Sequence, residues 1–352
     1  MSLRGSELSC FWWKLSVALI AWGTAMTNAT PAQDSCRVLF GSCIRQDQPM
    51  PILRLMASRR SDRILLLGDN IYGDTDDAQV LRAKYQLLAD NPDFQSLRRS
   101  APILAVWDDH DFGLNDGGSE YTGRDDSQQA FLDFWGIPAA SPRRTRQGVY
   151  HSEILQHHEL RVQVILLDAR FHRTPLMKGE RRTGGPYYPR TTPDETMLGD
   201  VQWRWLETQL RIPADVRLIG CGIQMIAEAA GQETWSNMPA ERQRLFQLIQ
   251  QTRANGVLLL SGDRHWAELS VERELSDYPI YEVTSSSLNQ KHSRGTPTQN
   301  SRRASPITWH EENFGQIDLK RVSDAVEIEF SIVNLSGETV LHHKLISNDL
   351  RP

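Results

Sequence analysis

Residues 63–72 read Arg63-Ile64-Leu65-Leu66-Leu67-Gly68-Asp69-Asn70-Ile71-Tyr72. The unbroken apolar run predicts a strand that is buried on both faces, because a half-exposed strand would alternate polar and apolar residues. Gly68 and Asp69 end this strand and place a carboxylate directly after a buried segment. Such a carboxylate is costly to leave unpaired, so Asp69 is either a metal ligand or a cap for the next turn.

Three other predicted strands end in the same way. They run into Gly41-Ser42-Cys43, Trp107-Asp108-Asp109-His110-Asp111 and Leu260-Ser261-Gly262-Asp263-Arg264-His265. Ligands of open α/β sheets bind beyond the carboxyl ends of the strands, so we expect the four turns to converge on one site. Carboxylates gathered there would repel one another unless cations lie between them. The mixture of hard oxygens, imidazole and thiolate suits an iron-type ion beside a hard or borderline divalent ion.

Helical patterns separate these strands. The helices are predicted at 49–60, 77–89, 201–210 and 239–253, and the strands at 37–43, 63–67, 103–107, 162–167, 216–220 and 257–260. The last part of the chain has predicted strands at 281–284, 316–321, 325–333 and 339–346, with a hairpin turn at 334–338. Continuous apolar strands that alternate with helices indicate an α/β fold whose central sheets are covered on both sides.

Size and charge narrow the function. The chain has 352 residues and a formal net charge of -5. No long linker divides it, so we expect a single, monomeric domain over residues 33–352. The charge gives no attraction to nucleic acid, and the sequence has no nucleic-acid-binding signature. Two long loops, 171–199 and 285–314, carry arginines and lysines and are interpreted either as an anion-capturing surface or as ordinary solvated loops.

The first 32 residues have the pattern of a secretory signal peptide. Arg4 and Lys14 precede an apolar run that continues to about Met26, and a membrane span needs about 20 apolar residues. The small residues around Ala29 and Ala32 resemble cleavage sites. We therefore expect a secreted or periplasmic protein with no transmembrane segment after signal removal; a membrane anchor and a buried first helix are the alternatives.

The cysteine count also bears on export. The chain contains Cys10, Cys36, Cys43 and Cys221, and removal of the signal would leave an odd number. An odd cysteine in a secreted protein needs an explanation, and a metal-bound thiolate at Cys43 would supply one. Cys36 and Cys221 could then pair as a disulfide.

Five segments together resemble a known family. In chain order they are Phe40-Gly41-Ser42-Cys43, Leu67-Gly68-Asp69-Asn70-Ile71-Tyr72, Trp107-Asp108-Asp109-His110-Asp111, Leu167-Asp168-Ala169-Arg170-Phe171-His172-Arg173 and Leu260-Ser261-Gly262-Asp263-Arg264-His265. They are similar to the alkaline phosphatase D (PhoD-like) branch of the calcineurin-type metallophosphoesterases, over residues of about 37–320. The resemblance implies a four-layer α/β/β/α sandwich of two mixed sheets with a two-metal site at one edge.

The resemblance also implies roles for individual residues. One ion, suggested to be Fe(III), would be bound by Cys43, Asp69, Tyr72 and His265. The second, suggested to be Ca(II) with Mn, Mg or Zn as alternatives, would share Asp69 and be completed by Asp109 and Asp263. His110 would donate to the substrate or leaving group, and Asn70 and Asp111 would support the ligands. Arg170 and Arg173 would hold phosphate oxygens or brace their loop, with Asn115 also contacting substrate.

The expected function is two-metal hydrolysis of phosphate monoesters or diesters, in which a metal-bridged hydroxide attacks phosphorus. The substrate would be a small-molecule or polymeric phosphate ester. A phospholipase C/D-like phosphodiesterase acting on lipids or polymers is one alternative. A cysteine hydrolase that uses Cys43 and His110 and a non-catalytic secreted metal-binding protein are the alternatives from other classes.

Overall fold

Two six-stranded mixed sheets form the centre of the fold. The computed structural model describes residues 35–229, 231–292 and 299–352. The proposed signal peptide and Arg294 of the second basic loop lie outside these residues. Among the described residues, no helix is both long and apolar enough to cross a membrane.

The strands and helices have the following bounds. The strands are β1 (Cys36–Gly41), β2 (Arg63–Leu67), β3 (Ile103–Val106), β4 (His151–His157), β5 (Leu160–Leu167), β6 (Met177–Lys178), β7 (Tyr187–Tyr188), β8 (Val216–Cys221), β9 (Val257–Ser261), β10 (Ala267–Glu272), β11 (Ile280–Ser285), β12 (Asn313–Val322), β13 (Ala325–Asn334) and β14 (Thr339–Ile346). The helices are α1 (Pro51–Ser58), α2 (Ala78–Asp90), α3 (Pro92–Ser100), α4 (Asp109–Phe112), α5 (Arg124–Phe134), α6 (Gly199–Leu210) and α7 (Pro239–Gln251).

The first sheet has the order β14-β13-β12-β1-β2-β3, and the second has the order β10-β11-β9-β8-β5-β4. In the first sheet β1, β2 and β3 are parallel, and the other pairs are antiparallel. In the second sheet β11, β9, β8 and β5 are parallel, and β10 and β4 are antiparallel edges. The sheets face each other through the pairs β1–β11, β2–β8 and β3–β5. The predicted four-layer α/β/β/α sandwich is confirmed.

All the predicted strands and helices are present, with small shifts at their ends. Three helices, α3, α4 and α5, and four strands, β4, β6, β7 and β10, are not predicted by the sequence pattern. The sequence of β10 does not look like a buried strand, because three of its buried residues, Glu268, Ser270 and Glu272, are polar.

The suggested disulfide between Cys36 and Cys221 is wrong. Both thiols are free and buried. Cys36 begins β1 in the first sheet, whereas Cys221 ends β8 in the second sheet. Cys36 and Cys221 therefore lie in different sheets and at opposite ends of their strands, so they do not form a disulfide.

The parallel strands determine where the polar turns lie. The first three strands end two or three residues before Cys43, Asp69 and Asp109, so their loops emerge at one edge of the first sheet. In the second sheet β9 ends just before Asp263. Gly68 keeps the β2 and β3 turns close, because its φ is +97° and a Cβ there would clash with Asp108.

Candidate metal centre

One cluster at this edge joins three of the predicted ligands. Cys43, Asp69 and His265 each offer one donor atom, and these atoms all lie within 4.8 Å of one another. The Cys43 Sγ is 3.5 Å from Asp69 Oδ2. The Tyr72 hydroxyl lies 3.0 Å from His265 Nε2. The four residues predicted for the first ion are therefore brought together by β1, β2 and the turn after β9.

A second cluster shares a carboxylate with the first. Asp69, Asp109 and His110 also offer donor atoms within 4.8 Å of one another. The backbone N–H of His110 donates to Asp109 Oδ1 at 2.9 Å and lies 3.4 Å from Asp69 Oδ1. Asp69 is thus common to both clusters, and its two oxygens face different partners.

A third cluster extends the site to residues that sequence reasoning did not select. Asp109, Asp116 and Glu233 have donor atoms within 4.8 Å of one another. The backbone N–H of Asp116 donates to Asp109 Oδ2 at 2.8 Å. The predicted Asn115 is exposed beside this cluster, and its amide donates to Asp116 Oδ2 at 2.8 Å.

Backbone conformation is unusual at this edge. Among the described residues nine that are not glycine have a positive φ. Six of them belong to these turns: Cys43, Asp69, Asp74, Asp116, Asp263 and His265. A positive φ is unfavourable for residues with a Cβ and persists only where the surrounding structure enforces it, typically at functional sites. The turns are therefore held in shape by their contacts and not by local preference.

Asp111 supplies many of those contacts. Its carboxylate accepts the backbone N–H groups of Asp69, Asn70 and Asp108, at 3.2, 3.2 and 2.6 Å. It also accepts the side-chain amide of Asn70. Because Asp111 is fully buried, these bonds tie the β2 and β3 turns to each other in a dry environment.

Two buried arginines lie behind the carboxylates. The Arg170 guanidinium donates to Asp108 Oδ1 at 2.6 Å and to both oxygens of Glu233 at 2.8 and 2.9 Å. Arg173 donates to the carbonyls of Asp116 and Gly117 at 2.6 Å. Both arginine side chains have no exposed surface. Their contacts hold neighbouring residues of the site and leave the two arginines out of the solvent-facing cleft.

His110 has a partner on its Nδ1 side. This nitrogen lies 2.6 Å from Asp74 Oδ1, and the ring lies against Tyr72 with 4.1 Å between ring centroids. Burial lowers the pKa of His110, but Asp109 and the hydrogen bond to Asp74 outweigh it and raise the pKa to about 9. The opposite ring nitrogen, Nε2, is directed away from Asp74.

The carboxylates fit a cation between them. Burial, followed by the charges of Asp109, Asp111 and Asp263, raises the pKa of Asp69 well above its ordinary range. Burial and the charge of Asp69 likewise raise the pKa of the Cys43 thiol. These groups cannot all ionise together in a dry site unless positive charge is supplied, and a metal ion at the position where their donor atoms converge would supply it.

Comparison with known proteins identifies the family of the chain. The family model described as "PhoD-like phosphatase" matches residues 38–330. The chain belongs to the PhoD-like phosphatase family. Membership implies a hydrolase, and the three clusters are the candidate positions for the metal on which this family depends. No curated protein matches the chain.

Solved structures with a similar fold are known for this PhoD-like phosphatase. It is similar to a structure described as "Structure of PhoD", with a TM-score of 0.68, 16% identity, and coverage of 89% of this chain and 72% of that chain. The protein TT1561 of Thermus thermophilus has a TM-score of 0.37 at 10% identity and covers 88% of this chain and 98% of its own. Vps29 of Chaetomium thermophilum has a TM-score of 0.34 at 10% identity, covering 91% and 100%.

Three residues beside the candidate site are not identified by the sequence pattern. Asp74 and Asp116 lie in loops after the recognised turns, and Glu233 lies after β8 in a segment without a strand or helix pattern. None of them directly follows an apolar strand, which is the signal that identified Asp69, Asp109 and Asp263. Their proximity to the site results from tertiary contacts with Asp109, His110 and the buried arginines.

Proposed function

We propose that the chain hydrolyses phosphate esters with two metal ions. The observation that carries this proposal is the position of Asp69 in two ligand clusters at once. Two-metal phosphatases need ions about 3.5–4 Å apart, and a shared carboxylate can hold ions at that spacing. Cys43, Tyr72 and His265 would complete the first ion's ligands, and Asp109 and Asp263 the second's.

The ions and the surrounding residues would have different roles in the reaction. When bound, the two ions would lower the pKa of a water molecule and offset charge on the phosphate oxygens. Asp111 would hold the β2 and β3 turns at the right separation through its four hydrogen bonds. Asn70 has a buried side-chain oxygen without a hydrogen-bond partner among the described residues, and such an amide oxygen is a suitable further ligand for a hard cation.

His110 is the proposed proton donor to the leaving oxygen. Asp74 holds its Nδ1, which fixes the ring and directs Nε2 away from that contact. A histidine that stays protonated at neutral pH can give a proton to a departing alkoxide. We assign Asp74 the role of a positioning residue because it acts through His110.

Arg170 and Arg173 are proposed to brace the site. The sequence left open whether they hold phosphate or the loop, and their complete burial favours the second role. Capture of phosphate is assigned to two arginines nearer the surface. Arg45 lies over the Tyr72 ring at 5.1 Å and has about a third of its side chain exposed, and Arg264 forms an ion pair with Asp263 at 2.9 Å.

The cysteine-hydrolase alternative has less support. A nucleophilic cysteine needs a lowered pKa and access to substrate. Cys43 is fully buried, and its pKa is raised. It also clusters with Asp69 and His265 and not with His110. A phospholipase C/D-like diesterase uses the same chemistry as the main proposal, so the two differ only in substrate.

The test combines metal content with turnover. The purified protein is analysed for bound elements and assayed on p-nitrophenyl phosphate and bis-p-nitrophenyl phosphate, before and after chelation and with Fe, Ca, Mn, Mg or Zn restored. We expect chelation to abolish turnover and added metal to restore it. Full activity after chelation, combined with loss after thiol alkylation, would support the cysteine hydrolase. Bound metal without turnover on either ester would support a non-catalytic protein.

Iron at the first position can be tested separately. An Fe(III) ion bound by Tyr72 would give a visible tyrosinate absorption that Tyr72→Phe removes. Tyr281→Phe is the matched control, because Tyr281 contacts Phe330 and His343 away from the site. A colourless protein with full metal content would assign the position to another metal, such as Zn or Mn.

Export and domain organisation complete the proposal. Residues 1–32 are proposed to be removed on secretion or export to the periplasm, and residues 33–352 to act as one monomeric catalytic domain. N-terminal sequencing of the exported protein tests the cleavage near Ala29 or Ala32. Light scattering of the same sample tests the monomer. An intact Met1 on the exported protein would contradict the assignment.

A further inference from the structure

A second mixed cluster of donor groups lies at the other end of the central strands. Cys36, Asp62 and His157 each offer one ligand atom, and these atoms lie within 4.8 Å of one another. Cys36 begins β1, Asp62 immediately precedes β2, and His157 ends β4. Because β1 is six residues long and leads to Cys43, about 15–20 Å separate this cluster from the candidate metal centre.

The cluster joins the two sheets. Cys36 lies in β1 of the first sheet and Asp62 directly precedes the neighbouring strand β2, whereas His157 lies in β4 of the second sheet. The backbone N–H of Arg37 donates to Asp62 Oδ2 at 2.8 Å, which fixes that carboxylate. Asp62 Oδ1 lies 3.4 Å from His157 Nδ1. A group bound to all three side chains would therefore connect the layers of the sandwich.

The histidine and the cysteine both have unused bonding capacity. His157 Nε2 is buried and has no hydrogen-bond partner among the described residues. Cys36 is completely buried and forms no disulfide. Burial, followed by the charge of Asp62, raises the pKa of its thiol to about 12. A free thiol beside a carboxylate is unfavourable as an anion, but a cation at the same point would stabilise the thiolate.

The donor set identifies the cation class. Thiolate, imidazole and carboxylate together are typical ligands of Zn²⁺, which binds them at about 2.0–2.3 Å in a tetrahedral arrangement. Such ligand atoms lie about 3.3–3.8 Å from each other, so atoms within 4.8 Å need only a small closure. Asp62 has 38% and His157 17% of its side chain exposed, which leaves a route from solvent and room for a water as fourth ligand.

We propose that Cys36, Asp62 and His157 form a structural Zn²⁺ site. The bound ion would cross-link the two sheets at the end of the sandwich opposite the hydrolytic centre. It is separate from the proposed function, since none of its ligands contributes to the phosphatase clusters. The site also accounts for a free cysteine that would otherwise remain unexplained in an exported protein.

Cobalt serves as the spectroscopic probe, because Co²⁺ bound by thiolate absorbs in the near ultraviolet and Zn²⁺ displaces it. The exported protein carrying Cys43→Ser has no thiol at the hydrolytic centre, so any thiolate–cobalt absorption must come from another cysteine. We expect one equivalent of thiolate-bound Co²⁺ that one equivalent of Zn²⁺ displaces. Adding Cys36→Ser should abolish the absorption, while the matched control Cys221→Ser, also a free buried cysteine, should keep it.

His157→Gln gives a second route, since this side chain is partly exposed and its change leaves the packing of β1 intact. It should weaken cobalt binding at least about tenfold. If Cys43→Ser does not fold, the wild-type chain gives the same comparison, and Cys36→Ser should remove the part of its thiolate absorption that Cys221→Ser retains. The zinc site would be overturned if the Cys43→Ser protein showed no thiolate–cobalt absorption, or if adding Cys36→Ser to it left that absorption in place. In the wild-type background it would be overturned if Cys36→Ser and Cys221→Ser gave the same absorption. Hydrolysis should be unchanged by Cys36→Ser, which separates this test from that of the proposed function.

Discussion

The two ends of the central strands carry similar ligand types but hold them in different ways. At the carboxyl ends, Asp69 and Asp263 lie in loops and have positive φ. At the opposite end, Cys36 is the first residue of β1 and His157 the last residue of the antiparallel strand β4, and none of the three clustered residues has a positive φ. Loops can turn several carboxylates toward one point, whereas strand positions offer only the side chains that already face each other. The first arrangement suits shared ions and chemistry, and the second suits a single stapling ion.

The largest expected effect comes from the shared carboxylate. Asp69→Asn keeps the shape of the side chain but removes the charge that both proposed ions need, so kcat/KM should fall by at least about 10³-fold. The measurement is steady-state hydrolysis of both nitrophenyl esters together with metal content. Asp324→Asn, an exposed carboxylate between β12 and β13, is the control and should have no effect. Near-normal turnover by Asp69→Asn would show that the carboxyl ends of the strands do not form the hydrolytic centre proposed for them.

The second effect concerns the buried arginine network. Arg170→Gln leaves the buried Asp108 without its ion pair and leaves Glu233 paired with Arg173 alone, which should lower the free energy of unfolding by about 3–5 kcal/mol. Because the same carboxylates adjoin the candidate ligands, metal affinity should also fall by about 10–100-fold. Thermal unfolding and metal titration measure the two losses. Arg204→Gln changes an exposed arginine on α6 and should match the wild type; equal stability of the two variants would show that Arg170 does not brace this end.

Sequence reasoning reached the fold because apolar runs at β1, β2, β3 and β9 are visible without any tertiary knowledge. It reached Cys43, Asp69, Asp109 and Asp263 because they follow those runs directly. It did not reach β10, where buried Glu268 and Glu272 pair with Arg303 and Arg242 from distant segments.

The positions of Glu233 and Cys36 likewise depend on tertiary contacts that the sequence pattern does not reveal. Glu233 is held at the site by tertiary contacts, including the hydrogen bond from Arg170, 63 residues earlier in the chain. The disulfide suggested for Cys36 was inferred from cysteine number alone, and number carries no information on which sheet a cysteine joins. Local pattern thus identifies strand ends well, whereas partners across the sandwich require the topology.

The third effect is on the proposed proton donor. Asp74→Asn retains a group that can accept from His110 Nδ1 but removes a charge that raises the pKa of His110. We expect kcat to fall about tenfold with little change in KM, since the change acts through positioning and protonation. Activity that requires protonated His110 is present below its pKa and lost as pH rises through it. The falling alkaline limb of the pH–kcat profile should therefore move to lower pH in Asp74→Asn.

The control for this change is Asp77→Asn, which alters the exposed N-cap of α2 in the same loop. It should leave the profile in place. If the alkaline limb of Asp74→Asn stays where it is in the wild type while kcat falls, the loss would be structural and His110 would not be the group that titrates.

The smallest effect belongs to the rim of the site. Arg45→Gln removes an exposed cation beside Tyr72, and surface charges contribute modestly because water screens them. We expect KM for the nitrophenyl esters to rise about three- to tenfold, with kcat and metal content unchanged and with a smaller difference from wild type at high salt. Arg54→Gln, a more exposed arginine on α1, should change neither constant. If Arg45→Gln instead lowered kcat, the arginine would act on the reacting phosphate in the transition state. Arg45 would then belong to the catalytic centre and not to its surface.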